Sequence, residues 1–151
     1  MSQVSFRPFQ PGDLAAYAGW FADPETERRV SVPDQAWLEH VLAPDGRSRA
    51  LAATLGAETA LLALLQCDIE DDGGLSLLIA VDPARRGKGL GRRVLSAFIE
   101  HVGDRHPHID GHIEADNLAS IACVESCGFV RLSEEPDDGF LHYRKVLGAR
   151  P

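Results

Sequence analysis

The stretch Leu75-Ser-Leu-Leu-Ile-Ala-Val-Asp-Pro-Ala-Arg-Arg-Gly-Lys-Gly-Leu-Gly-Arg-Arg-Val-Leu95 decides the fold. Leu75 to Val81 is an almost unbroken apolar run, which predicts a strand buried on both faces. Pro83 lacks the amide donor that a central strand needs and stops it. Gly87, Gly89 and Gly91 follow within five residues, interleaved with Arg85, Arg86, Lys88, Arg92 and Arg93. From there the apolar spacing turns helical: Leu90, Val94, Leu95, Phe98, Ile99 and Val102 line one stripe. A strand, a glycine turn and a helix N-terminus together make an anion site. The first-turn amides of the helix have no internal partners, the helix dipole is positive there, and glycine leaves the backbone open to approach. Five cationic residues stand between Arg85 and Arg93 in a chain whose formal net charge is −8. The stretch therefore predicts a seat for a strongly anionic group, such as a pyrophosphate.

At 151 residues the chain is read as one domain, 1–151, with the composition of a soluble globular protein: 44% hydrophobic and 25% charged. No apolar run approaches the length of a membrane span, and Met1-Ser-Gln-Val-Ser-Phe-Arg7 carries no leader pattern. Cys123 and Cys127 are poorly disposed for a disulfide at helical spacing, so reduced thiols and a cytoplasmic setting are expected. Residues 1–75 hold twelve Asp and Glu against five Lys and Arg. That balance argues against a nucleic-acid surface and favours a cationic acceptor such as an amine, or serves solubility alone.

Along the chain, Val4 to Phe9 reads as a first strand, and Asp13 as the N-cap of a helix running to about Ala22. Tyr17, Trp20 and Phe21 on that helix fit a core stripe or a pocket lining. Asp23-Pro24 ends the helix, and Glu25 to Pro33 reads as irregular. A second helix spans about Asp34 to Leu42, with Trp37, Leu38 and Val41 inward, closed by Ala43 to Gly46. Arg49 to Leu55 and Thr59 to Ile69 form a hairpin, and a turn at Asp71 to Gly74 leads into the central strand. After the helix from about Leu90 to Val102 come a strand (Ile109 to Ala115), a helix (Leu118 to Cys127) and a hairpin (Phe129 to Leu132, Phe140 to Leu147). The order β-α-α-β-β-β-α-β-α-β-β is an α/β fold with a mixed sheet.

Two anion-loop patterns fail at the turn: Gly-Lys is not followed by Ser or Thr, and Gly87-Lys-Gly-Leu-Gly91 does not fit a dinucleotide fingerprint. What Arg86, Gly89 and Gly91 resemble, preceded by Val81-Asp-Pro83, is motif A of the GNAT superfamily of acetyl-CoA-dependent N-acetyltransferases. Asn117-Leu-Ala-Ser-Ile-Ala-Cys-Val-Glu-Ser-Cys-Gly-Phe129 resembles motif B through Asn117, Ser120, Glu125, Gly128 and Phe129. At the family's tyrosine, often the acid for the leaving thiolate, stands Val124. The chain is similar in this to a branch that includes ribosomal-protein N-terminal and aminoglycoside acetyltransferases. Cys123 could donate a proton, or be a structural thiol.

The resemblance implies a GNAT-like fold with a splayed central sheet and acetyl-CoA as cosubstrate. It implies cofactor contacts from Ile79, Ala80 and Val81, from Arg86, Gly87, Lys88, Gly89, Leu90, Gly91 and Arg92, and from Asn117 and Ser120. A backbone amide near Ile79 to Val81 would polarise the thioester carbonyl. The candidate base is His112, an imidazole whose unperturbed titration near ~6.5 suits neutral pH, with Glu114 on the same strand face. Both could instead be structural. His106 and His108, read as loop residues, fit no zinc spacing, so no metal is expected. The acceptor is a small-molecule amine or a protein N-terminus, with no nucleic acid or membrane partner, and the chain a monomer or homodimer. The competing reading is a catalytically silent acyl-CoA-binding module.

Overall fold

Three helices begin on a side chain that accepts a first-turn amide. Asp23 accepts from the Thr26 amide at 2.9 Å, Asp34 from Trp37 at 2.8 Å and Asn117 from Ser120 at 3.3 Å. In the computed structural model, which describes residues 3–44 and 46–148, the elements run β1 (Val4–Pro8), α1 (Leu14–Gly19), α2 (Pro24–Arg29), α3 (Gln35–Leu42), β2 (Ser48–Leu55), β3 (Ala63–Ile69), β4 (Leu75–Val81), α4 (Leu90–Val102), β5 (His108–Glu114), α5 (Leu118–Ser126), β6 (Val130–Arg131) and β7 (Phe140–Val146). The strands form a seven-stranded mixed sheet in the order β1-β2-β3-β4-β5-β7-β6, with β4 and β5 parallel.

The expected order holds, with one helix added. The Glu25 to Pro33 stretch is not irregular throughout, because α2 fills Pro24–Arg29. Its ends explain it: Asp23 caps, Pro24 sits at the first helical position, Glu25 and Glu27 occupy the first turn, and Arg28 and Arg29 the last. Asp13 holds the N-cap position of α1, as expected, but its side chain makes no capping bond to that helix. Its carboxylate accepts from the Gln10 amide and takes a two-pronged ion pair from Arg7, both at 2.8 Å, while 3-10 turns flank α1 on either side. The second hairpin strand begins at Ala63 rather than Thr59. Asp45, part of the expected turn after α3, lies outside the described residues.

The chain divides into two compact units, one holding residues up to Asp68 with Leu78–Leu90, the other Ile69–Leu77 with residues from Gly91 on. The core of the first gathers Phe9, Tyr17, Trp20, Phe21, Leu38, Val41, Ala52 and Leu64. The Tyr17 ring meets Trp20 and Phe21 edge-on at 5.5 and 5.3 Å, so the aromatic stripe is core packing. In the second unit β5 pairs with β4 through Leu75↔Ile109 and Ser76↔Asp110, and with β7 from His108↔Val146 to Glu114↔Phe140. Strand alternation then sorts β5 and β7 into two faces. Ile109, Ile113, Leu141 and Tyr143 are buried on one, where the Tyr143 hydroxyl donates to Glu125 of α5 at 2.9 Å. The opposite face carries Asp110, His112, Glu114, His142 and Arg144.

Candidate functional site

The glycine turn adopts the geometry an anion seat requires. Gly87 and Gly89 have φ of +78° and +71°, values that a residue with a side chain seldom adopts. A Cβ at either would meet nothing within 4 Å, so the backbone edge of the turn is open. Helix α4 begins immediately after it at Leu90, with its first-turn amides at the turn. Gly91 lies inside α4, not in the turn. Lys88 and Arg92 are exposed beside it.

The neighbouring cations are differently employed. Arg85 pairs with Glu58 at 2.9 Å. Arg86, expected at the cofactor, directs its Nη2 to Asp23 at 2.7 Å and to the Thr26 hydroxyl at 3.0 Å. The Arg86 guanidinium, together with the Thr26 amide, holds the Asp23 carboxyl down to about 2. Thus Arg86 ties the turn to the start of α2, which sequence reading had left without structure.

Strand β4 is not buried on both faces. Leu75 and Ala80 are buried, but Ile79 and Val81 are half-buried and Leu78 is 36% exposed. An apolar strand whose C-terminal half keeps such surface is available to a ligand's apolar arm.

In the second unit, Asn117 and Ser120 are brought together by the cap hydrogen bond. That bond uses the Asn117 carbonyl oxygen and leaves its amide able to donate. Gly128 takes φ of +88° at the end of α5, and Phe129 is buried. Glu125 serves as acceptor for Tyr143. Burial pushes the Cys123 thiol up, and Val124 offers no proton.

His112 and Glu114 share the open face of β5, with His112 exposed. Opposite His112 in the β5–β7 register is His142, and the two rings stack at 4.4 Å and 20°. His142 Nε2 lies 2.8 Å from Asp110 Oδ2. Arg144 donates to both Asp110 oxygens, at 2.8 and 2.9 Å. Burial pushes the Asp110 carboxyl up, but the Arg144 and His142 bonds outweigh it and hold the group at about 2. Ionised Asp110 is an acceptor only, so His142 presents Nε2–H to it, and a neutral ring keeps its lone pair on Nδ1. This carboxylate–imidazole pair escaped sequence reading because His142 and Asp110 lie 32 residues apart. Only the alternation of Asp110, His112 and Glu114 could have pointed to a polar strand face. His108, read as a loop residue, is the first residue of β5.

A mixed sheet with an open, basic glycine turn at the head of a helix places the chain among α/β domains. The family model for the acetyltransferase (GNAT) domain matches residues 3–130, and the chain belongs to that family. A mycothiol acetyltransferase of Kineococcus radiotolerans is 32% identical over 87% of this chain and 44% of its own length. One from Nocardiopsis dassonvillei is 31% identical over 84% of this chain and 42% of its own. The chain thus spans less than half the length of these curated relatives. Among solved structures, spermidine N-acetyltransferase from Vibrio cholerae in complex with CoA and spermine aligns at TM-score 0.79, 18% identity and 95% of both chains. Aminoglycoside acetyltransferase AAC(6')-Ib with coenzyme A and kanamycin aligns at TM-score 0.78, 21% identity and 95% of both chains. These structural likenesses show the fold. Among the described residues no helix is long and apolar enough to cross a membrane.

Proposed function

We propose that this chain transfers an acetyl group from acetyl-CoA directly to a primary amine, on a small molecule or a protein N-terminus. The observation that carries this is the glycine turn: two left-handed glycines with open Cβ space at the head of α4, flanked by exposed Lys88 and Arg92. That geometry fits a pyrophosphate. Acetyl-CoA supplies the acyl group already activated as a thioester. Gly87, Lys88, Gly89, Leu90 and Gly91 bind its anionic part through backbone amides, with Arg92 and one face of Arg86 adding charge. Ile79, Ala80 and Val81 lie along the pantetheine arm, where a backbone amide polarises the carbonyl. Asn117 orients the arm through its free amide, and Ser120 fixes Asn117.

An amine arrives protonated and must lose a proton before attack. His112 takes it, with Glu114 on the same face to hold the incoming cation. A second reading assigns the base to His142, favoured by the buried carboxylate that fixes its Nε2–H. Val124 can donate nothing, so protonation of the leaving thiolate falls to water. An amine acceptor agrees with the acidity of residues 1–75 and with the spermidine and aminoglycoside acetyltransferases that share the fold. Three free thiols, Cys67, Cys123 and Cys127, support a reducing cytoplasmic setting.

The test is thiol release from acetyl-CoA across a panel of polyamines, aminoglycosides and peptide N-termini. The expected result is release with at least one amine, cut about 10²-fold or more in His112→Ala with CoA affinity retained. A loss below about fivefold moves the role to His142 or water. CoA binding without release for every amine would favour the silent module.

A further inference from the structure

Apart from the transfer chemistry, the turn between β3 and β4 meets the first residues of β5 in a cluster of donors and acceptors that do not balance. The turn closes on itself, with the Glu70 amide donating to the Gly74 carbonyl at 2.8 Å. It brings Glu70 and Asp72 against His108 and Asp110. His108 is 6% exposed and Asp110 fully buried. A Cβ at Gly74 would overlap the His108 imidazole, so glycine there is what admits the ring.

One oxygen of the Asp72 carboxylate accepts from the Gly74 amide at 2.9 Å and the other faces His108. His108 Nε2 lies 2.8 Å from it and donates. In the neutral ring that tautomer puts a lone pair on Nδ1. Nδ1 is buried without a hydrogen-bond partner: it lies 3.0 Å from Asp110 Oδ1, but the two are not aligned as donor and acceptor. Glu70 Oε1 is likewise buried and unpartnered. One ligand atom each from Glu70, His108 and Asp110 lie within 4.8 Å of one another. Two of these three acceptors, His108 Nδ1 and Glu70 Oε1, are buried without a partner, which is costly, and Asp110 adds a carboxylate beside them. A second proton on His108 would reach at most one oxygen and leave Glu70 Oε1 unpaired. A metal ion would take all three.

We propose that Glu70, His108 and Asp110 form a binding site for a divalent first-row cation of the zinc class, with Asp72 fixing the His108 tautomer from behind. One imidazole nitrogen and two carboxylates are a zinc-compatible set, and a carboxylate on the far ring nitrogen is the usual support for a metal-bound histidine. Tetrahedral zinc spaces its ligand atoms roughly 3.4 Å apart, so the cluster closes by a modest rotation of the Glu70 side chain. The charge permits it: the three carboxylates of Glu70, Asp72 and Asp110 share the guanidinium of Arg144, a net of two negative charges for a divalent ion to neutralise. Arg144 donates to both Asp110 oxygens and His142 faces Oδ2, so Oδ1, on the His108 side, accepts one hydrogen bond and keeps a second lone pair for the ion. Asp72, more than half exposed, marks the solvent side from which an ion enters. Bound there, the cation clamps the β3–β4 turn to β5.

The test uses the untagged, chelator-stripped chain with zinc chloride as the probe. Zinc is titrated by calorimetry and by long-range ¹H–¹⁵N NMR of the histidine rings. The expected result is one zinc per chain with a saturable shift of the His108 Nδ1 resonance. Glu70→Gln and His108→Gln should each weaken binding at least about 100-fold, and Asp72→Asn about 10–100-fold, while His112→Ala leaves it unchanged. The NMR readout on the unmodified chain does not depend on any variant folding. No saturable shift at His108 Nδ1 up to about 1 mM zinc overturns the site, as does binding that survives Glu70→Gln or disappears in His112→Ala.

Discussion

Replacing Asp110 by asparagine keeps the side chain's shape and removes the charge on which Arg144 and His142 converge. Its magnitude follows from the carboxyl's titration. Burial pushes the group up, yet the hydrogen bonds from Arg144 and His142 bring it from 3.8 to about 2. At ~1.36 kcal/mol per pH unit, a drop of that size is roughly 2–3 kcal/mol of stability. Removing one partner of a buried pair costs ~3–5 kcal/mol where the other stays dry. Arg144 is about 30% exposed and regains water, which favours the lower figure. Because the folded value is depressed, the contribution is fully present above pH 3.8 and is lost as pH falls through about 2. Urea denaturation of metal-stripped wild type and Asp110→Asn reads it directly. At pH 7 the variant should lose about 2–3 kcal/mol, or roughly 5–10 °C in Tm, and the two proteins should converge near pH 2. A variant within ~0.5 kcal/mol of wild type at pH 7 would refute the reasoning. So would a gap that persists undiminished at pH 2.

Tyr143→Phe removes the hydroxyl that donates to Glu125 at 2.9 Å while leaving the buried ring in place. Stability should fall by about 1 kcal/mol in chemical denaturation, with CoA affinity unchanged. Gly74→Ala forces a methyl into the His108 ring and should cost ~1–3 kcal/mol, accompanied by a shift of the His108 ring resonances that Gly12→Ala, in open space, does not produce. Lys88→Ala removes an exposed cation beside the glycine turn and should weaken CoA by no more than ~1 kcal/mol, an effect that shrinks further in high salt.

Elements whose stability comes from their own apolar face were legible in the sequence. The stripe from Leu90 to Val102 gave α4 to the residue, and Asp34 with Trp37, Leu38 and Val41 gave α3. Helix α2 was missed because Pro24-Glu-Thr-Glu-Arg-Arg29 has no such stripe. It is held by its ends, and by the Asp23–Arg86 pair across a long sequence gap. The glycine turn was legible because its chemistry is local, a property of consecutive backbone units. On β5 the face shared by His112 and Glu114 was legible, but its partners were not: Asp110 acquires its character from Arg144 and His142, and His108 from Asp72, residues that only the folded sheet brings together. The apolar run Leu75–Val81 misled in the other direction. Periodicity reports that a strand is apolar, and cannot distinguish a face packed on protein from one left half-open.

The central claim is that the turn from Gly87 to Gly89, with the first residues of α4, seats the pyrophosphate of CoA. Calorimetric titration of CoA into wild type, Gly89→Asn and Gly89→Asp tests it most directly. Both variants carry the same backbone strain at φ of +71°, and a Cβ there meets nothing within 4 Å, so they differ only in charge. Saturable binding to wild type is predicted, with Gly89→Asp weaker than Gly89→Asn by ~2–4 kcal/mol, the scale of an uncompensated like charge against the anion. Equal affinity of Gly89→Asp and wild type would contradict the account.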